Sequence, residues 1–269
     1  MERSSMLDHF AEELRLARST AGLSQAALAE AVSYSAALIA KIETGDRRPS
    51  ADLARRCDAV LGGGGRFVRI QRRISRETVV PYFREWAGIE QEATALRGYE
   101  PLYVPGLLQT EGYARAVLSG PRLLSAEEVE RQVGIRLDRQ EILTRDRPPT
   151  LTLVIDESAL RRPVGGPEVQ REQLRHLVKV GEGTPRVRLH VVPFAVGAYA
   201  GLDGSFVIAT PPVGEDMVYV ETQLGGHVVD RPADVRRAID VWESIRGEAL
   251  PHQRSIELIA EITEAGPWT

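Results

Sequence analysis

The stretch from Gly22 to Pro49, GLSQAALAEAVSYSAALIAKIETGDRRP, admits few folds. Ser24 is placed to cap a short helix, its hydroxyl accepting from a backbone N–H two or three residues on. Leu28, Ala29 and Val32 then recur at helical spacing and give that helix one apolar face. A tight turn at Val32–Ser33 follows, and Ser35 caps a second helix carrying Leu38, Ile39 and Ile42. Gly45 is the stop signal for this second helix, with Pro49 just beyond. Two helices crossing steeply across so short a turn need a small residue where they touch, and Ala29 supplies it. These features describe a helix-turn-helix of the kind that reads DNA.

The rest of the chain allows a second unit. Its 269 residues suffice for two domains with substantial cores, and 43% apolar with 27% charged residues is ordinary for a globular protein. The single cysteine, Cys57, excludes an internal disulfide framework, and its helical spacing from Leu53 and Leu61 reads as a small buried hydrophobe. No run approaches the ~18 consecutive apolar residues of a membrane span, so a cytoplasmic protein is expected. Charge is uneven. Residues 1–75 carry 12 Lys and Arg against 9 Asp and Glu; of the chain's 34 and 38, this leaves 22 against 29 for the remainder. A basic end on an acidic remainder fits a nucleic-acid-binding module joined to a domain with another task.

Taken in order, residues 1–21 predict an amphipathic helix with Phe10, Leu14, Ala17 and Ala21 on one side. Ser50 to Leu61 predicts another, with Leu53, Cys57, Val60 and Leu61 inward. Gly62 to Gly65 reads as a flexible exit, because no Gly-Lys-Ser/Thr follows to make it a phosphate loop. The expectation is therefore an N-terminal all-α helix-turn-helix bundle over 1–65 and a basic helical linker over 66–80. A mixed α+β domain over 81–269 would regulate, dimerise or bind a partner. Within it, helices are predicted at 81–98, 107–118, 125–143, 157–161, 167–180, 231–246 and 250–264. Strands are predicted at 151–155, 187–193, 204–209, 217–221 and 227–229, with an extended aromatic stretch and turn at 99–106. Helices first and a sheet later argue for the α+β class.

Residues Gly22-Leu23-Ser24-Gln25, Leu28-Ala29, Val32, Ser35, Ile39, Ile42-Glu43, Gly45 and Arg48-Pro49 resemble the Xre (Cro and phage-repressor) helix-turn-helix family. The remainder resembles the C-terminal domain of actinobacterial antitoxin-like transcriptional regulators. That likeness rests on Tyr99-Glu100, Val104-Pro105-Gly106-Leu107-Leu108-Gln109-Thr110, Tyr113-Ala114-Arg115-Ala116, Arg139-Gln140, Asp156-Glu157-Ser158-Ala159-Leu160-Arg161, Gln173-Leu174 and Val192-Pro193-Phe194. The resemblance implies a DNA-binding regulator encoded beside a small acidic partner protein and acting as its antitoxin.

In the Xre family the helix after the turn enters the major groove, which here assigns Tyr34, Ser35, Ala36, Ala37, Ala40 and Lys41 to the bases. Lys41 suits guanine O6 and N7, and the alanine methyls suit thymine methyls. Gln25, beside the Ser24 cap, is placed to hold a phosphate, and Arg18, Arg47 and Arg48 are candidate phosphate clamps. Glu43 is expected to hold Arg47 or Arg48. Ser33 stands where many relatives have glycine and is strained if its φ is positive. One module reads few base pairs, so a homodimer on an inverted repeat of double-stranded DNA is expected, the acidic domain supplying the dimer contact.

Rival readings attach to the second domain. Asp156-Glu157, His176 and His190 invite an enzyme, but no metal-binding or nucleophile pattern accompanies them. The expectation is no catalytic residues, no metal and no cofactor. Trp86, Tyr99, Tyr103, Tyr199 and Phe206 either line a ligand-sensing pocket or pack a core. An acidic protein partner would need a basic patch, for which Arg136, Arg139, Arg145 and Arg147 are the candidates.

Overall fold

The computed structural model describes residues 5–78, 83–222 and 224–266. The chain divides into two compact units, Met1–Val79 and Val80–Thr269. The expected start of the second domain at 81, the end of the linker at 79–80 and the first four residues lie outside the described residues.

The first unit is a bundle of α1 (Ser5–Thr20), α2 (Gln25–Ala31), α3 (Ala36–Glu43), α4 (Ala51–Leu61) and α5 (Arg66–Thr78). Its core joins Phe10 and Leu14 of α1, Leu28 of α2, Ile39 and Ile42 of α3, Leu53 and Cys57 of α4, and Phe67 and Ile70 of α5. The rings of Phe10 and Phe67 meet edge to face at 5.5 Å. The segment expected to be a basic linker is thus the fifth helix of the bundle, because Phe67, Ile70 and Ile74 recur at the spacing that buries one face. Nor is the tetraglycine a flexible exit. Gly62 ends α4 in the left-handed region (φ 64°), and Asp58 accepts from the backbone N–H groups of Phe67 and Val68 at the start of α5. A Cβ on Gly63 would stand 2.2 Å from the Asp58 carboxylate, so the corner is tight. Burial pushes the Cys57 thiol up to about 12, which makes it inert.

The second unit carries a six-stranded mixed sheet in the order β3-β2-β1-β4-β5-β6. Its strands are β1 (Ala95–Glu100), β2 (Thr150–Asp156), β3 (Val187–Val192), β4 (Phe206–Thr210), β5 (Met217–Thr222) and β6 (Gly225–Val229). β1, β2 and β3 run parallel, joined by helical crossovers; β4, β5 and β6 pair antiparallel. The helices are α6 (Arg84–Glu92), α7 (Glu111–Ser119), α8 (Ala126–Gln140), α9 (Glu157–Arg161), α10 (Pro167–Gly183), α11 (Pro232–Glu248) and α12 (His252–Ala265). One face of the sheet packs Leu96, Leu151, Leu153, Ile155 and Leu189 against α10 and α12; the other packs Tyr99, Val154 and Ile208 against Trp242 and Ile245 of α11. The outer edge of β3 is closed by the segment leading into α12. Val191 N–H donates to Ser255 Oγ at 3.0 Å, and Leu250 N–H to Val191 O at 2.8 Å. Such cover removes a free strand edge.

Periodicity misassigned one element. The range 81–98 was expected to hold an amphipathic helix and no strand; α6 ends at Glu92 and β1 begins at Ala95. β1 is paired on both sides, with β2 and with β4, and these ladders outweigh local helical preference. Gly98 fits the same position, since a Cβ there would lie 2.8 Å from Leu153 Cδ2.

Two glycine substitutions test this packing. A Cβ on Gly226 would meet Tyr219 Oη at 1.9 Å, and that ring is wedged between Trp86, stacked at 5.2 Å, and Phe83 at 5.3 Å. Gly226→Ala should therefore lower stability to urea by about 1–3 kcal/mol. Gly134, inside α8, meets nothing within 4 Å. Gly134→Ala should instead raise stability by about 0.5–1 kcal/mol.

Candidate nucleic-acid interface

Three turns of the same construction hold the helix-turn-helix. After α1, Gly22 (φ 68°) closes the helix while Leu23 N–H reaches back to Arg18 O at 3.1 Å. After α2, Ser33 (φ 59°) does the same, with Tyr34 N–H on Ala29 O at 2.8 Å. After α3, Gly45 (φ 74°) repeats it, with Asp46 N–H on Lys41 O at 2.8 Å. Each pairs the residue after the left-handed one with a carbonyl five back, the Schellman arrangement. Ser33 takes the glycine's place in the central turn and adopts positive φ. Serine side chains open each following helix: Ser24 accepts from Ala27 N at 3.1 Å, Ser35 from Leu38 N at 3.2 Å and Ser50 from Leu53 N at 3.1 Å.

A buried ion pair fixes α3 beneath these turns. Glu43 is 2% exposed. Arg18 donates to both its oxygens, Nε to Oε1 at 2.6 Å and Nη2 to Oε2 at 3.0 Å, and its Nη1 donates to Leu23 O at 2.8 Å. Gln25 Nε2 donates to Glu43 Oε2 at 2.7 Å. One expectation is corrected here. Glu43 holds Arg18 and Gln25, not Arg47 or Arg48. Arg18 and Gln25, expected at phosphates, direct these donors to the Glu43 carboxylate. A two-oxygen anion inside the bundle is the nearest strong acceptor, and fork-to-carboxylate geometry outweighs a solvated alternative.

Tyr34 is also turned inward. Its hydroxyl donates to Asp52 Oδ2 at 3.0 Å and lies 3.3 Å from Ser50 Oγ, while Arg56, paired with Asp52 at 2.6 Å, covers its ring at 5.8 Å. Burial raises the pKa of this phenol. Tyr34 thus locks the turn to α4. What α3 leaves exposed is Ser35, Ala36, Ala37 and Lys41, with Ala40 half-buried. Ser24 and Arg47 are exposed beside them, and Arg48 is half-buried. The exposed strip is small and carries one charge of its own, on Lys41.

In the second unit the five aromatic candidates separate. Tyr199 Oη donates to Asp156 Oδ2, and Tyr99 Oη lies 2.5 Å from Tyr199 Oη. Since the Tyr199 proton is on Asp156, Tyr99 is the donor of that second bond. Tyr99 also meets the Phe206 ring at 6.3 Å. Trp86 lies in the cluster on the other face of the sheet, and Tyr103 is exposed just beyond β1.

The family described as Domain of unknown function (DUF5753) matches residues 83–261, well over half of the chain. The chain belongs to the DUF5753 family. Ahead of the DUF5753 domain, residues 9–67 match the description Helix-turn-helix domain, the fold of DNA-binding regulators. No curated protein and no solved structure matches the chain.

Within the DUF5753 domain the arginines considered for an acidic partner are largely held internally. Arg139 forms two 2.9 Å bonds to Glu90 and stacks 4.3 Å over Phe83; Arg136 donates to Gln109 Oε1 at 2.9 Å. Arg145 donates to the carbonyls of Gln91, Ala93 and Arg147, and of the four only Arg147 is exposed. The residues that sequence reasoning missed are Asp52 and Arg56, which hold Tyr34. Their one signal is the helical i, i+4 spacing of opposite charges.

Glu43→Gln should weaken the Arg18 fork and leave a buried guanidinium short of countercharge, lowering the stability of the helical unit by about 3 kcal/mol in urea. Ser33→Gly should raise it. Removing about 1–2 kcal/mol of left-handed strain exceeds the added unfolded-state entropy of glycine, leaving a gain of order 0.5–1 kcal/mol.

Proposed function

We propose that this chain is a sequence-specific transcription regulator of the Xre type, reading an inverted-repeat operator as a homodimer with half-sites about one helical turn apart. The observation that carries the reading is the exposed strip Ser35, Ala36, Ala37 and Lys41 on a helix fixed from behind by Glu43, Arg18 and Gln25. A helix held at both ends by Schellman turns presents these side chains without paying much ordering entropy on binding. Lys41 donates to guanine O6 or N7, and the two alanine methyls pack on thymine methyls. So few polar groups read few bases directly, so sequence-dependent DNA deformability carries much of the selectivity. Arg47 contacts phosphate and sets register.

In this reading the DUF5753 domain supplies the dimer contact and a partner surface, in the manner of antitoxin-like regulators, and catalyses nothing. Three of its acid and imidazole candidates, Asp156, Glu157 and His190, have structural work. Asp156 caps α9, accepting from Ser158 N at 2.8 Å, and accepts from Tyr199. Glu157 holds Arg161 at 2.6 Å, and His190 Nδ1 lies 3.0 Å from Leu250 O.

Fluorescence anisotropy with the DNA upstream of the protein's own gene tests the proposal. Lys41→Ala should lose on the order of 1–3 kcal/mol, about 5- to 150-fold, for the preferred site and little for unrelated duplexes. Arg47→Ala should weaken binding to all duplexes alike and reduce the salt slope by about 1. Equal, weak binding of the native chain to every duplex would contradict the reading.

A further inference from the structure

The parallel half of the sheet brings several loops to one edge. β1, β2 and β3 all end there, and β5, parallel to β1 through two antiparallel steps, ends there too. The pairings Glu100↔Ile155, Asp156↔Val192, Tyr99↔Phe206 and Val220↔Phe206 fix that register. The segments beyond these strand ends carry large apolar side chains in solvent: Leu102 (53% exposed) and Tyr103 after β1, Phe194 (58%) after β3, Leu202 (62%) before β4 and Leu224 (98%) between β5 and β6. The strand order also reverses here, since the chain passes from β3 across β2 and β1 to β4. Crevices at such switch points, outside the carboxyl ends of strands, are where sheets of this kind take ligands.

Ordinary surface scatter would leave such side chains on loosely held loops, but the segment between β3 and β4 is anchored at two places. Phe194 N–H donates to Glu157 Oε2 at 2.9 Å, and Arg161, paired with that same carboxylate, lies 6.0 Å from the Phe194 ring. The turn bearing Leu202 is tied down by Tyr199 to Asp156 and Tyr99, and a Cβ on Gly201 would strike Tyr99 Oη at 2.4 Å. Leu224 N–H donates to Thr222 Oγ1 at 3.2 Å. Large apolar groups in water, on three separate loops along one edge, are what an interface presents before its partner arrives.

The charge at this edge is acidic. Asp156, Asp203 and Glu221 stand among these loops against Arg162, Arg161 being already paired with Glu157, and Glu100 adds a further negative charge once it ionises. The charges facing Glu100 are Glu221 of β5 and Arg136 of α8, the latter bonded to Gln109; Glu221 also acts on Arg139, itself paired with Glu90. Burial first, then Glu221, pushes the Glu100 carboxyl up to about 8 against the opposing pull of Arg136. A cation brought to this edge would favour the ionised form of Glu100 and offset Asp203 and Glu221.

We propose that this edge is a docking surface for an apolar, positively charged segment of another protein. Strands spaced about 4.8 Å apart put Phe194 and Leu224 roughly 20 Å from one another, the reach of about six extended residues. Charge complementarity sets the sign of the partner, and the apolar side chains provide the anchors. Such a partner is opposite in charge to the acidic one that the family resemblance implies.

The test uses the full chain with a fluorescein-labelled 12-residue amphipathic peptide of leucine and lysine, beside its leucine–glutamate counterpart, read by anisotropy at physiological salt. The lysine peptide should bind at least tenfold more tightly than the glutamate peptide. Phe194→Ser with Leu202→Ser should weaken it at least tenfold with an unchanged circular dichroism spectrum. Val213→Ser, which alters an exposed apolar residue at the opposite end of the sheet, should leave binding intact. Glu100→Gln should weaken binding several-fold at pH 9 and much less at pH 6.5, where the native carboxyl is already neutral. Absence of binding, no preference for the basic peptide, or equal affinity of the double variant would overturn the proposal. So would light scattering that shows the double variant splitting a native dimer, which would assign the edge to a second copy of the chain.

Discussion

Everything the helical unit does with α3 depends on one buried carboxylate. Glu43 sits in a core of Phe10, Leu28, Ile39 and Ile42, where an unpaired charge is untenable. Arg18 from α1 and Gln25 from the start of α2 supply its countercharge and remaining bond, so three helices are pinned at one atom group. The two-bond fork with Arg18 and the bond from Gln25 tie α3 directionally to α1 and α2. Buried pairs of this sort earn their place through specificity of arrangement more than through net stability.

The turns work to the same end. At the ends of α1, α2 and α3 the carbonyls of Arg18, Ala29 and Lys41 are each taken by the backbone N–H of the residue just past a left-handed one. With carbonyls satisfied from below and N-termini capped by Ser24, Ser35 and Ser50, little backbone is left to fray. The strain at Ser33 is the exception. It is tolerated because the turn on either side is over-determined by Tyr34, which is held by Asp52 and by its own N–H on Ala29.

Much of this was legible beforehand. Caps, apolar spacing and glycine stops gave α2 and α3, and the short β-rich runs located β2, β3, β4, β5 and β6 to within a few residues. Side-chain partners were not legible. A sequence shows that Arg18, Gln25 and Tyr34 are polar and near a presumed groove, yet their direction is decided by acceptors 18 to 25 positions away. For the same reason β1 hid inside a helical pattern: its two ladders come from strands about 55 and 110 residues further on. The aromatic candidates divided across a sheet whose strand order no local pattern reveals, leaving Tyr99, Tyr199 and Phe206 together and Trp86 on the opposite face.

The central claim is that a small exposed strip on α3 selects DNA sequence. Selection from a random duplex pool, with the native chain and with a variant carrying Ser35→Ala and Lys41→Ala, tests it most directly. The account predicts that the native chain enriches an inverted repeat with half-sites about ten base pairs apart, and that the variant loses that consensus while still retaining duplexes at low salt. A pool that stays random under the native chain, or an identical consensus from the variant, would contradict it.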